Sequence, residues 1–167
     1  GRPLENNAHP HADCSGSVAV VHNGILENYL ALKQSLIAQG HHFRSETDTE
    51  VIAHLIEVRL NEGMELLEAV RSALREIRGS YAVGILAESE PDRIIAGKHG
   101  AGSVIIGMGT GEAFLASDIP ALLPFTQEVM VLEDGEIAEV TRSGVQLRTL
   151  FGGDHIHRSP TRVTWNS

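Results

Sequence analysis

The sequence predicts an α+β fold, with helices layered on antiparallel sheet, from three observations. A short strand-like run near the N-terminus is followed by three successive stretches of helical periodicity. From Ser80 the spacing of apolar residues changes to the period of strands and keeps it to about residue 148. The strand candidates are joined by turn signals as short as Glu133-Asp134-Gly135 and Arg142-Ser143-Gly144. Links of that length leave no room for helical crossovers, so the pairing is antiparallel.

Taken in order, residues 1–16 are rich in Pro, Asn, His, Asp, Ser and Gly and read as loop. Val18, Ala19, Val20 and Val21 read as a buried strand over 17–22. It is expected to end at Asn23-Gly24, a pair that tolerates positive φ and turns the chain sharply. Leu26, Tyr29, Leu30, Leu36 and Ile37 mark an amphipathic helix over about 27–39, with Gly40 as its stop. His41, His42 and Phe43 read as a short extended piece. Thr47 and Glu50, three residues apart, read as a capping box opening a helix through Val51, Ile52, Leu55 and Arg59 that stops near Gly63. A third helix carries Leu66, Leu67, Val70, Ala73, Leu74 and Ile77 on one face and stops at Gly79.

Strand candidates follow at 81–87, 93–97, 103–107, 113–116, 129–132, 137–141 and 145–148. Ser117-Asp118-Ile119-Pro120 looks like an N-cap with proline in the first turn, opening one short helix through Leu123. Periodicity is lost after Gly152-Gly153, which divides the chain into a domain over 1–150 and a linker or tail over 151–167.

Composition excludes several classes of function. The chain has 167 residues, 42% of them apolar and 21% charged, which suits one domain with its own core. A formal charge of −9 with scattered basic residues offers no surface for a polyanion, so nucleic acid is not an expected partner. Apolar runs reach only about six residues, against the ~20 that span a bilayer, so no membrane is expected either. A single cysteine excludes an internal disulfide and places the chain in a reducing cytoplasm. The chain begins Gly-Arg-Pro without an initiator methionine and reads as a piece of a longer protein.

Two places offer chemistry. Asn23 supplies a side-chain NH₂ and Gly24 a backbone N–H with no Cβ to shield it, a pair of donors suited to a developing oxyanion. Read alone, the dipeptide is more readily a plain turn than a catalytic pair. Asp48, in the first turn of the second helix, complements the helix dipole and is also placed to receive a ligand's ammonium group. His9, His11, Asp13 and Cys14 cluster within six residues but lack a second ligand pair, so no metal is assigned. Cys14 lies in a Ser/Gly-rich loop with nothing to lower its pKa and reads as an inert thiol rather than a nucleophile. The glycines of Gly107-Met108-Gly109-Thr110-Gly111 miss dinucleotide-binding spacing and read as a turn.

Three stretches go further when taken together: Asn7-Ala8-His9-Pro10-His11, then Val20-Val21-His22-Asn23-Gly24-Ile25-Leu26-Glu27-Asn28-Tyr29, then Ser45-Glu46-Thr47-Asp48-Thr49-Glu50-Val51-Ile52-Ala53-His54-Leu55. In that order they resemble the glutaminase domain of class II glutamine amidotransferases. Arg78-Gly79-Ser80-Tyr81-Ala82, Leu115-Ala116-Ser117-Asp118-Ile119-Pro120-Ala121-Leu122-Leu123 and Glu133-Asp134-Gly135-Glu136-Ile137-Ala138 extend the likeness over about residues 1–150. They are most similar to the branch that passes ammonia to fructose 6-phosphate and makes glucosamine 6-phosphate.

The resemblance implies an N-terminal-nucleophile αββα sandwich, here incomplete at the N-terminus. It implies L-glutamine as substrate, cleaved through a thioester on an N-terminal cysteine whose α-amino group is the base. Asn23 and Gly24 are then the oxyanion hole, Gly24 also lies against the bound glutamine, and Asp48 grips the substrate α-ammonium. No metal or organic cofactor is implied, and the full-length enzyme is expected to be a homo-oligomer with fructose 6-phosphate bound at a separate isomerase domain. The chain departs from the pattern at its start, which matches the last Gly of an Arg-Trp-Ala-Thr-His-Gly-like segment. Cys14 does not occupy the nucleophile's place, so the chain alone is expected to be inactive. Two alternatives remain open: a glutaminase domain of the phosphoribosylamine-forming type, and a domain that binds glutamine as a sensor without turnover.

Overall fold

The structure, a computed structural model, describes residues 11–12, 16–109 and 112–164. The element order is β1 (His11–Ala12), β2 (Val18–Leu26), α1 (Tyr29–Ala38), α2 (Thr49–Asn61), α3 (Leu66–Arg75), β3 (Gly79–Ala87), β4 (Glu90–His99), β5 (Ile105–Gly109), β6 (Glu112–Ala116), β7 (Glu128–Val131), β8 (Glu136–Thr141), β9 (Gly144–Thr149), β10 (His155–Ile156) and β11 (Thr161–Arg162). A seven-stranded sheet runs β1-β2-β3-β4-β8-β9-β10, and a four-stranded sheet runs β11-β7-β5-β6. Every pair is antiparallel, as the short connections require.

Three apolar layers hold these elements together. The helices lie on one face of the larger sheet, where Val18, Val20, Ile85, Ile95 and Ile137 meet Ile52, Ile56, Val70 and Leu74. α2 is buried continuously from Thr49 to Glu57 because it is enclosed by the sheet and by both neighbouring helices. α3 is amphipathic, burying Leu66, Leu67, Ala69, Val70, Ala73 and Leu74. The second layer lies between the sheets, from Ala82, Ala96, Ala138 and Val140 on one side and Val104, Ile106, Met130 and Leu132 on the other. The third covers the outer face of the smaller sheet with Leu122, Ile119 and Leu123. Among the described residues no helix is long and apolar enough to cross a membrane.

Several expectations are corrected. β2 does not stop at Asn23-Gly24: its register with β3 runs unbroken through Asn23↔Ala82 and Gly24↔Tyr81 to Leu26↔Gly79. The ladder overrides the local turn tendency of the dipeptide. The chain reverses at Glu27-Asn28 instead, where Glu27 N–H donates to Arg78 O at 2.8 Å. There the Asn28 side chain bridges two backbone groups, donating to Glu76 O at 2.8 Å and accepting from Arg78 N–H at 3.0 Å. Residues 117–125 form successive turns rather than a helix. Asp118 does cap, accepting Ala121 N–H at 3.0 Å, but the segment then follows the sheet surface with Leu122 buried beneath it. Residues 41–43 join no sheet. Gly107, Met108 and Gly109 belong to strand β5 rather than to a turn, and a Cβ on Gly107 would lie 2.8 Å from Thr126 Cγ2.

Residues after Leu150, read as aperiodic, contribute β10 to the edge of the larger sheet and β11 to the edge of the smaller. Arg158 fastens this stretch through a bidentate pair with Glu136, at 2.6 Å to Oε1 and 2.8 Å to Oε2. His9, Asp13 and Cys14 of the N-terminal cluster lie outside the described residues, and His11 is described only as part of β1.

Candidate active site

The site is built where the end of β2 meets the start of α2. Along β2 the side chains alternate: Val18, Val20 and His22 are buried on the helical side, while Val21 and Asn23 face the other way and are exposed. Asn23 and Val21 line a cavity of about 430 Å³ between the sheets, together with Gly84, Val104, Leu115 and Ser117. Of the three singled-out residues only Asn23 lines it; Gly24 and Asp48 do not.

Gly24 is required by sterics before any chemistry is considered. Its φ is +132°, and a Cβ there would stand 2.1 Å from the Ser80 carbonyl oxygen. Gly79 meets the same restriction from the opposite strand, with a Cβ position 2.2 Å from Ile25 O. The ends of β2 and β3 thus approach more closely than side chains allow. Among the described residues β1 accompanies β2 only at Val20 and Ala19, so the edge of β2 away from β3 carries no strand partner from Val21 onward.

Asp48 comes to that edge. It precedes α2 with helical backbone angles and makes no capping bond to its own helix. Its Oδ2 instead accepts Leu26 N–H at 3.1 Å, two residues along the strand from Gly24. Two residues of strand span about 6.5 Å, so the carboxylate and the Asn23-Gly24 backbone share one short stretch of β2. A second tie lies one residue further along the helix, where His22 Nδ1 is 3.1 Å from Thr49 Oγ1 between two buried side chains.

Glu50 organises the segment leading into α2. Its Oε1 accepts Arg44 N–H at 2.7 Å, and its Oε2 accepts Ser45 N–H at 2.7 Å and Ser45 Oγ–H at 2.6 Å. Burial pushes its carboxyl pKa up. The hydrogen bonds from Ser45 Oγ, Arg44 N–H, His54 and Ser45 N–H together outweigh burial and hold it below the usual value. The expected capping box is therefore displaced: Glu50 reaches back past Thr47 to close the 44–45 backbone.

Of the residues singled out in the sequence, the structure brings Asn23, Gly24 and Asp48 to one strand end. The roles of His22, Thr49, the Leu26 N–H and the Ser80 carbonyl were not apparent in the sequence. The period-two alternation Val18, Val20, His22 was the available signal for His22, since it places that ring on the buried face.

A family model described as a glutamine amidotransferase domain matches residues 2–124. A glutamine–fructose-6-phosphate aminotransferase [isomerizing] from Symbiobacterium thermophilum is 52% identical over 165 residues, covering 99% of this chain and 26% of that protein. Its counterpart from Methanothermobacter thermautotrophicus is 48% identical over 167 residues, covering 100% of this chain and 28% of that protein. The chain thus spans about a quarter of the length of the curated relatives it matches. Among solved structures, the glutamine phosphoribosylpyrophosphate amidotransferase from B. subtilis, complexed with ADP and GMP, superposes with a TM-score of 0.73 at 30% identity. That match covers 89% of this chain and 33% of the other. The architecture is accordingly that of N-terminal-nucleophile amidotransferase domains. With residues 2–124, most of its length, inside the matched family, the chain belongs to the glutamine amidotransferase domain family.

Proposed function

We propose that the chain is the glutamine-hydrolysing part of a glutamine–fructose-6-phosphate aminotransferase. The observation that carries this reading is the Asp48–Leu26 hydrogen bond, which holds a carboxylate beside the strand end that bears Asn23 and Gly24. Asp48 Oδ1 then receives the α-ammonium of glutamine while Oδ2 stays on the strand. The side-chain amide carbonyl lies toward Asn23 Nδ2 and Gly24 N–H. A cysteine thiolate, assigned to none of the described residues, attacks that carbonyl, and the oxygen takes up negative charge. Two donors held in place stabilise that charge without reorganising as it forms. The proton taken from the thiol by that cysteine's α-amino group passes to the amide nitrogen as the adduct collapses, which breaks the C–N bond and gives the thioester and ammonia; water then cleaves the thioester, releasing glutamate and the thiol.

The 48–52% identity to the fructose 6-phosphate branch, against 30% to the phosphoribosylpyrophosphate enzyme, supports the sugar branch. In this reading the ammonia is delivered to fructose 6-phosphate at a further domain of a homo-oligomeric, cytoplasmic enzyme that engages neither nucleic acid nor membrane. The test is Asn23→Ala in the protein at the full length its gene encodes. Loss of one oxyanion donor lowers kcat for glutamine hydrolysis by about 10². Stability should be unchanged, since the Asn23 side chain is exposed. Undiminished turnover in the variant removes Asn23 from the oxyanion hole. A wild-type enzyme that binds glutamine without hydrolysing it makes the domain a sensor.

A further inference from the structure

Two ties join the end of β2 to the start of α2, and they stand on either side of Asn23-Gly24. Before the pair, His22 Nδ1 is 3.1 Å from Thr49 Oγ1. After it, Leu26 N–H donates to Asp48 Oδ2 at 3.1 Å. The first tie is the drier one: His22 is 9% exposed and Thr49 2%, whereas the Asp48–Leu26 bond is partly buried. Shielded from water, such a bond is stronger than an exposed one.

His22 immediately precedes Asn23, and Thr49 immediately follows Asp48. Their hydrogen bond therefore links the chain positions beside the oxyanion donors and beside the ammonium acceptor. The His22 ring lies on the helical face of the sheet and the Asn23 side chain on the other, so the imidazole acts on Asn23 through the backbone that joins them. β3 fixes one edge of this stretch. On the other edge, among the described residues, no strand accompanies β2 from Val21 onward. Gly24, at φ +132°, adds the least restricted residue type at the point where two donors must be held to within about 0.5 Å.

Resting on the glutamine-hydrolysing function proposed above, we propose that His22 and Thr49 are a positioning pair. Their hydrogen bond fixes the separation between the Asn23-Gly24 donors and the Asp48 carboxylate. Those groups hold opposite ends of one substrate, the side-chain amide and the α-ammonium. With the separation fixed, an ammonium seated at Asp48 delivers the amide oxygen to donors already in place. Without the tie, the ammonium still finds Asp48, which keeps its own bond to Leu26. The donors, however, sit off the oxygen as its charge develops. The loss falls on turnover rather than on binding.

The test is Thr49→Val, which removes the hydroxyl and keeps the side-chain shape, in the protein at the full length its gene encodes. The expected result is a fall of about 10-fold or more in kcat for glutamine hydrolysis, with KM for glutamine held within about twofold. Thr49→Ser, which keeps the hydroxyl, should recover most of that turnover. Should Thr49→Val not fold, His22→Asn and His22→Leu put the same question from the strand. The Asn amide reaches where Nδ1 stands, so His22→Asn should retain most of the kcat that His22→Leu loses. Wild-type kcat in Thr49→Val, a fall that Thr49→Ser shares, a rise in KM at constant kcat, or equal kcat in the two His22 variants overturns the pair. A merely structural contact would lower thermal stability and leave kcat per folded molecule unchanged. Asn23→Ala separates this proposal from the reading beneath it. A loss of about 10² there with none in Thr49→Val strikes the positioning pair alone, whereas full turnover in Asn23→Ala strikes the oxyanion assignment itself.

Discussion

Helices α2 and α3 both begin at an acidic residue, Asp48 and Glu65, and the two carboxylates serve different partners. Glu65 has extended backbone angles, φ −68° and ψ 150°, and its side chain folds back to accept Leu67 N–H at 3.0 Å and Glu68 N–H at 3.4 Å. That is the ordinary economy of a helix start, in which a side chain satisfies otherwise unpaired donors. Asp48 already has helical angles, φ −68° and ψ −22°, and its carboxylate points out of the helix to Leu26 N–H on β2. Glu50 closes the backbone that precedes α2, and under the proposed function the second oxygen of Asp48 serves the substrate ammonium.

Three substitutions break this division of labour at successive points. The largest effect on stability is expected from Glu50→Gln, which turns an NH₂ toward donors that a carboxylate oxygen now accepts. The loss should be about 3 kcal/mol in urea unfolding at neutral pH. The sign with pH follows from the lowered folded-state pKa of Glu50, relative to about 4.5 when unfolded. The stability it contributes is full above that unfolded value and is lost as pH falls through the folded one. The gap between wild type and Glu50→Gln should therefore narrow in acid, and a gap that stays constant below pH 4 would assign the effect to something other than the carboxylate.

Asp48→Asn sharpens the comparison at the site itself. The amide oxygen still accepts Leu26 N–H, so folding should be preserved, but the charge offered to an ammonium group is gone. KM for glutamine should rise about 100-fold, equivalent to ~2.7 kcal/mol of charge-assisted hydrogen bonding, with a smaller change in kcat. A normal KM in steady-state assays of the full-length enzyme would return Asp48 to a purely structural role.

The smallest effect belongs to Glu65→Ala. It removes an ordinary cap and an ion pair with Arg93 at 2.5 Å. A loss of about 1 kcal/mol in stability is expected, with glutamine KM unchanged. If Glu65→Ala and Asp48→Asn shift KM alike, the two helix starts are not different in kind.

Much of the fold was legible in the sequence because it rests on periodicity. The change of period at Ser80 marks the boundary between helices and sheet, and the strands from β3 to β9 fall where alternation places them. Asn23-Gly24 was misread as a turn because a dipeptide's local tendency says nothing about the strand beside it. Pairing with residues 81–82 carried β2 onward to Leu26. The 117–123 signal was misread for a related reason. Its capping residue is genuine, but the apolar positions it offers the smaller sheet suit a turn lying flat on that surface rather than a helix.

By itself the sequence determined the class of the fold, through its periodicity, and the family, through a resemblance that runs over most of the chain; the candidate site residues follow from that resemblance. Only the tertiary structure decided that Asp48 faces β2 rather than its own helix, that Gly24 is required by the Ser80 carbonyl, and that His22 meets Thr49. Those are contacts between residues 22 to 56 positions apart, and their geometry arises from how strands and helices pack rather than from any spacing along the chain.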